Sequence, residues 1–221
     1  MPDTPRLGSA LNLQFAEQIE FFRGKLNVPT MRWNDLVHEA HDRAFVVAGA
    51  TKADLLQDLR DAVDKGISRG GSLKEFRKDF NEIVARRGWT GWTGEGSKKG
   101  VAWRTRIIFE TNLLTSQAAG RYAQLTDPAF LEAYPYWQYI HNDSVLHPRP
   151  LHKQWGDQRL TLRHDHPFYK THYPPNGWLC RCYVKAVAEP PSGAATEPPA
   201  GWDTPNLKTG LPPGIDKGWA Y

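Results

Sequence analysis

The chain has 221 residues, of which 40% are hydrophobic and 24% are charged, as is typical of a globular protein with one large or two small domains. No apolar run approaches the roughly 20 residues that a membrane span needs, and the N-terminus lacks the basic and apolar regions of a secretory signal, so we expect a cytoplasmic protein with no membrane partner. The formal net charge of +4 permits contact with nucleic acid without requiring it.

Apolar periodicity predicts two helices at the start of the chain. The first stripe begins at Phe15 and includes Ile19, Phe22 and Leu26. Pro29 then interrupts the pattern, because proline removes a helical hydrogen bond. The second stripe is formed by Trp33, Leu36, Val37, Ala40 and Ala44.

Two further helices are marked by capping signals. The third opens with Thr51 as N-cap and ends at Gly66 or at the Gly70-Gly71 pair. The fourth opens with a capping box formed by Ser72 and Glu75. Both present an apolar face, so a helical N-terminal lobe is predicted.

A Gly-rich segment with two tryptophans, GWTGWTGEGSKKG at residues 88–100, predicts a long loop between two lobes. The predicted parts are a helical N-terminal region (residues 1–88), a Gly/Trp loop (89–100), a main domain (101–187), and a Pro-rich linker with an extended C-terminal arm (188–221). The residues expected to anchor the arm are Trp202, Leu207, Ile215 and Trp219.

The longest helix is predicted from Val101 to Leu125, with a short helix from Pro128. Its apolar stripe includes Trp103, Ile107, Leu114, Ala118 and Tyr122. YPYWQYIH and CRCYVKAV have the aromatic and alternating content of strands. These elements predict an α+β fold, in which the helical lobe and the long central helix pack on a small, loop-rich antiparallel sheet.

The chain's two cysteines, Cys180 and Cys182, are too close in sequence to form an unstrained disulfide. With His152 and His172 they offer the donors of a tetrahedral zinc site, although C-x-C is a weaker signal than C-x-x-C. A Cys–His nucleophile would use the same residues. The simplest interpretation has no cofactor and leaves two small side chains facing inward from a strand, with Arg181 on its other face.

The segment that precedes these cysteines predicts a structural corner. Pro174 and Pro175 stiffen the approach, the Asn176-Gly177 pair supplies a turn, and Trp178 fills the core.

A second candidate site combines cations with imidazoles. Arg149, His152, Arg163 and His164 could hold a phosphate and transfer a proton, as in a nuclease or a transferase. The same side chains could contact a DNA backbone without catalysis. In the long helix, Thr111 and Asn112 are poor helix formers, and we expect them to hydrogen-bond to the aromatic C-terminal lobe.

Several separated stretches resemble the phage Mu protein F-like family, also called minor head or head morphogenesis proteins. RTRIIFETNLLTSQAAGRY is similar to the family's central helix, with Thr111-Asn112 and Gly120-Arg121 in the expected places. PRPLH, which contains Arg149 and His152, resembles its R-P-x-H element. DHPFYKTHYPPNGWLCRC resembles its closing signature, and IDKGWAY is similar to the segment that follows. The signature contributes Pro174, Pro175, Gly177, Trp178, Cys180, Arg181 and Cys182.

The resemblance implies a minor structural component of a phage head that acts in head morphogenesis near the portal. It implies portal and capsid or scaffold proteins as partners, contact with double-stranded DNA, and a place in the virion head or, during assembly, in the host cytoplasm. A nuclease-like or toxin-like enzyme that uses Arg149, His152 and His164 is the alternative function.

Overall fold

The computed structural model describes residues 14–35, 40–145 and 147–219. Within these residues the helices are α1 (Ala16–Gly24), α2 (Ala40–Arg43), α3 (Ala53–Arg69), α4 (Leu73–Arg87), α5 (Lys98–Leu125), α6 (Pro128–Ala133), α7 (Pro150–Asp157) and α8 (Phe168–His172). The strands are β1 (Leu26–Asn27), β2 (Ala44–Phe45), β3 (Tyr136–Ile140), β4 (Thr161–Arg163) and β5 (Tyr183–Val187). The fold is α+β, as predicted.

An N-terminal lobe is built from α1, α3, α4 and the first half of α5. Their apolar faces enclose one core, whose buried members are Phe22, Phe45, Val47, Ala50, Leu55, Leu56, Leu59, Ala62, Val63, Phe76, Phe80, Ile83, Trp89, Trp92, Ile108 and Phe109. Phe76 stacks on Phe109 with ring centroids 5.2 Å apart, which joins α4 to the long helix.

The first predicted helix forms as α1 but is shorter than predicted, and the second is helical only in part of its described residues. Helix α1 ends at Gly24, and Leu26 lies in β1 with 70% of its surface exposed, so it does not belong to the apolar stripe. β1 pairs in parallel with β2, matching Leu26 to Ala44. Among the described residues of the second stripe, those of the short α2 are helical, and Leu36 and Val37 lie outside the described residues.

Local capping signals in the next two helices are mostly confirmed. Ser72 and Glu75 form the predicted capping box, and left-handed Gly70 and Gly88 end α3 and α4. The predicted N-cap at Thr51 is wrong. Helix α3 begins after Lys52, whose side chain makes no capping hydrogen bond. The alternative end of this helix at Gly66 is also wrong because the helix continues to Arg69.

The Gly/Trp segment packs on the N-terminal core. Trp89 and Trp92 contact each other and Phe80, and both are buried.

Helix α5 starts three residues earlier than predicted because the Ser97 side chain accepts a hydrogen bond from the Gly100 N–H. The predicted stripe of α5 is the wrong face: Trp103 and Tyr122 are about half exposed. The residues of α5 that are buried are Arg104, Thr105, Ile108, Phe109, Ser116, Gly120 and Leu125.

The C-terminal lobe contains an antiparallel sheet with the strand order β4–β3–β5. The two strands predicted from sequence are the central β3 and the edge strand β5, which begins at Tyr183, three residues later than predicted. Strand β4 and helices α7 and α8 were not predicted. The buried core of this lobe consists of Leu125, Trp137, Tyr139, Trp155, Leu160, Leu162, Phe168, Tyr169 and Val184.

The segment after β5 packs along the C-terminal lobe without forming a helix or strand. The Ala195 carbonyl accepts from the N–H of Thr161 in β4, and Trp202 packs on Phe168. Ile215 and Trp219 are buried as expected, but Leu207 is fully exposed and does not anchor the segment. Among the described residues, no helix has the length and apolar character needed to cross a membrane.

Candidate functional site

One imidazole and two thiols converge in the C-terminal lobe. Nδ1 of His152 lies 3.5 Å from Sγ of Cys180 and 3.8 Å from Sγ of Cys182. These three residues, here called the Cys–His cluster, are the described residues whose donor atoms lie close enough together to hold a metal ion. His152 is 1% exposed and Cys180 is 3% exposed, so the cluster faces the protein interior.

Helix α7 fixes the orientation of His152. Pro150 occupies its first turn, where a missing N–H costs no helical hydrogen bond. The imidazole stacks on Trp155 at 5.4 Å, and its Nε2 lies 2.7 Å from the Gly214 carbonyl oxygen. Because a carbonyl only accepts, Nε2 carries a proton and donates it to Gly214, while Nδ1 faces the two sulfurs.

A tight turn delivers the two cysteines. The Cys180 N–H donates to the Gly177 carbonyl, and Leu179 takes the left-handed conformation with φ of 57°. The turn is therefore centred on Trp178 and Leu179, two residues later than the predicted turn at Asn176 and Gly177. Asn176 is instead buried and donates through Nδ2 to the His172 carbonyl, and the Pro174–Pro175 peptide is cis.

The environment separates the acidities of the two thiols. A hydrogen bond with Cys182 is the main factor that lowers the pKa of Cys180, and His152 contributes in the same direction. The same hydrogen bond and burial raise the pKa of Cys182. The hydroxyl of Tyr139, whose pKa is raised by burial, adjoins Cys182 as a further polar neighbour.

His141 is a member of this neighbourhood that the sequence analysis did not select. It directly follows strand β3, and its Nδ1 lies 3.5 Å from the Cys182 sulfur. Gly156 makes room for it, since a Cβ at that position would lie 2.5 Å from the His141 Cβ. Six of the chain's eight histidines lie between His141 and His172. Which of them reach the sulfurs depends on tertiary contacts.

His172, by contrast, does not join the cysteines as the predicted ligand set required. Its Nε2 donates to the Pro213 carbonyl at 3.1 Å, and its Nδ1 lies 2.7 Å from the Thr171 hydroxyl. The ring stacks on Phe168, and burial lowers its pKa, so it is a neutral core residue.

Arg149 is engaged by the C-terminal segment. Its guanidinium makes a bidentate ion pair with Asp216 and also donates to the Trp178 carbonyl at 3.0 Å. Gly177 leaves space for this pair, because a Cβ there would overlap the Asp216 carboxylate. The geometry assigns Arg149 to holding residues 211–219 against the turn that carries the cysteines.

The other two members of the predicted phosphate site have partners different from those of Arg149 and His152. Arg163 is exposed and paired with Asp165. His164 adjoins the Trp137 ring, with ring centroids 6.0 Å apart. Only Arg149 and His152, on one turn of α7, remain neighbours.

The remaining family-like positions have structural contacts. Asn112 donates to the Ile108 carbonyl of its own helix, and no described residue partners the buried Thr111 hydroxyl, so neither bonds to the aromatic lobe as expected. Gly120 lets α1 approach α5. The Arg121 guanidinium lies over the Tyr183 ring, and Arg181 pairs with Glu110 of α5.

Trp178 does not fill the core as predicted. It is partly exposed and packs edge-on against Trp33 and Trp219, which line a groove between the N-terminal lobe and the C-terminal segment.

Comparison with known proteins gives consistent matches. Residues 57–185, which include the Cys–His cluster, match the family described as Phage Mu protein F like protein. The chain is 36% identical over 190 residues to the "Putative capsid assembly protein F" of Escherichia phage Mu, a match that covers 82% of this chain and 42% of that protein. It is also 36% identical over 164 residues to the "Mu-like prophage FluMu F protein" of Haemophilus influenzae, with 72% and 38% covered. The chain thus spans about two fifths of the length of these relatives. No solved structure matches it.

Proposed function

Because this chain belongs to the Phage Mu protein F-like family, we propose that it acts in the assembly of a phage head, as a minor component near the portal. The observation that carries this proposal is the 36% identity to a putative capsid assembly protein, sustained over 82% of the chain. Its place is then the virion head, reached by assembly in the host cytoplasm.

An exposed aromatic face supports a protein partner. Phe130, Tyr134 and Tyr183 are each about 40% exposed, and Phe130 borders a groove that Arg121 and Lys185 also line. Aromatic residues and arginine are enriched at protein interfaces, where they supply large contact areas. We assign this face, defined by these five residues, to contact with the portal protein or with capsid or scaffold proteins.

The charge distribution favours a protein partner over DNA. Neighbouring carboxylates neutralise several cations, and both arginines that were considered for phosphate contact, Arg149 and Arg163, are ion-paired. Contact with double-stranded DNA stays a prediction. It requires that the logarithm of the duplex affinity fall linearly with the logarithm of the salt concentration, and the absence of binding at low salt would contradict it.

Two experiments test the proposed role. First, mass spectrometry of purified proheads and mature heads should detect the chain in one or both, and its absence from both would refute head assembly. Second, co-expressed portal protein should capture the chain. Phe130→Ser should weaken that capture, whereas the matched control Leu207→Ser, which alters a fully exposed residue outside this face, should not.

The enzyme alternative receives no support from the arrangement of its candidate residues. Arg149 and His152 bind the C-terminal segment, and His164 lies against Trp137. Replacing them should therefore change stability, and a nuclease activity that disappears in a fully folded His152→Ala variant would overturn this assignment.

A further inference from the structure

We propose that His152, Cys180 and Cys182 bind one structural zinc ion, with His141 as the fourth ligand. The donor set of two thiolates and two imidazoles is one that zinc prefers. The proposal does not depend on head assembly, since it follows from side-chain geometry within the C-terminal lobe.

The distances between the donor atoms already match a tetrahedral site. With Zn–S of about 2.3 Å and Zn–N of about 2.0–2.1 Å, a tetrahedron places sulfur and nitrogen about 3.6 Å apart. The two sulfur–Nδ1 distances to His152 are 3.5 and 3.8 Å, and that between Cys182 and His141 is 3.5 Å. The donor atoms of the Cys–His cluster all lie within 4.8 Å of one another, so an ion can sit among them.

The surroundings of His152 are those of a metal-binding histidine. Such a ring usually donates its second N–H to a carbonyl or carboxylate, which fixes the tautomer that binds the metal. Here Nε2 donates to the Gly214 carbonyl at 2.7 Å, and the free Nδ1 faces both sulfurs. Stacking on Trp155 prevents the buried ring from turning away.

His141 is placed to complete the site. It lies at the end of β3, beside Cys182, and is packed against Gly156 of α7. His141 is not among the residues whose donor atoms all lie within 4.8 Å of one another, so the proposed site requires this partly buried side chain to move toward the cluster when zinc binds. Zinc would then join three segments of the lobe: the end of β3, helix α7 and the turn before β5.

The first experiment uses the full chain without a polyhistidine tag. Protein from zinc-supplemented cells should contain one zinc per chain by mass spectrometry of the metal. Cobalt added to the stripped protein should give the intense ligand-field bands of a tetrahedral site and a sulfur-to-cobalt charge-transfer band. A folded wild-type protein that has no bound metal and gives no such bands would overturn the proposal, and octahedral cobalt bands would do the same.

Thiol reactivity provides a readout that needs no variant. Both cysteines should react slowly with a thiol reagent in the zinc-loaded protein, and a chelator should accelerate the reaction. Equal rates with and without chelator would refute zinc binding, because thiol–imidazole hydrogen bonds alone would then account for the short sulfur–Nδ1 distances.

Two variants test the fourth ligand. His141→Ala should keep the fold but lower zinc affinity by more than the roughly 10–100-fold typical of losing a supporting residue, and should change the cobalt spectrum. The matched control His147→Ala replaces an exposed histidine in the same segment and should bind as the wild type does. Unchanged affinity and spectrum in His141→Ala would refute this ligand assignment.

Discussion

Gly120 lies where helix α5 packs against α1, and replacing it tests that contact directly. A Cβ at this position would lie 2.7 Å from the backbone nitrogen of Gln18, 3.0 Å from its Cα and 2.9 Å from Cζ of Phe15. Gln18 is itself held by a hydrogen bond from its Nε2 to the Ser116 hydroxyl at 3.2 Å. Because two of the three clashes involve backbone atoms, a side-chain rotation cannot relieve them.

The expected size of the effect follows from two opposing terms. Alanine favours a helix over glycine by about 1 kcal/mol, whereas overpacking costs about 1–3 kcal/mol. Since the obstruction here is largely backbone, we expect Gly120→Ala to lower the free energy of unfolding by about 1–2 kcal/mol.

Urea unfolding followed by far-UV circular dichroism measures this change. The matched control is Gly24→Ala at the end of α1, where an added Cβ meets nothing within 4 Å. This control should be unchanged or up to about 1 kcal/mol more stable. If Gly120→Ala is as stable as Gly24→Ala, the close packing of α1 on α5 is refuted.

Three further changes have defined outcomes. Burial lowers the pKa of Lys25 from 10.5 to about 8. The unfolded chain then binds more protons between these values, so the free energy of unfolding should rise with pH across this window, by up to about 3 kcal/mol, and Lys25→Met should lose this rise. Ser72→Ala removes a capping box and should destabilise the protein by about 1 kcal/mol in thermal unfolding, and an unchanged midpoint would contradict the cap. Arg149→Lys breaks the bidentate ion pair and should speed tryptic cleavage after Lys217, whereas Arg163→Lys, at an exposed pair, should not.

Features that depend on neighbouring residues could be predicted from the sequence. The capping box at Ser72 and the glycine stops at Gly70 and Gly88 require only local chemistry, and they are confirmed. The aromatic strand β3 and the alternating strand β5 were also found, because a period of two is visible in a short segment.

Features that depend on residues distant in the sequence could not be predicted from it. Leu26 continued a helical stripe in the sequence, yet it pairs with Ala44, 18 positions away, in a parallel strand pair. The buried face of α5 was misjudged because polar Arg104, Thr105 and Ser116 occupy it. They are accepted there because each hydrogen-bonds to a carbonyl: Arg104 to that of Ala48, and the hydroxyls to those of their own helix.

In the candidate site, too, local features could be predicted from the sequence and long-range contacts could not. Sequence spacing placed Cys180 and Cys182 on one side of the chain, and both sulfurs do face His152. It pointed to His172 rather than His141, because sequence spacing does not show which histidine the fold brings to the sulfurs. The choice is made by partners across the lobe: Pro213 engages His172, whereas Gly156 leaves room for His141.

The C-terminal segment completes the C-terminal lobe even though it lies beyond the matched family range of 57–185. Gly214 and Pro213 accept from the buried His152 and His172, and Asp216 pairs with Arg149. These three donor residues belong to the matched range, and leaving the buried imidazoles of His152 and His172 without these acceptors would cost about 1–3 kcal/mol each. Small lobes of this kind gain stability from added cross-links. These hydrogen bonds, together with the proposed zinc site, supply them at one place, on the turn that precedes β5.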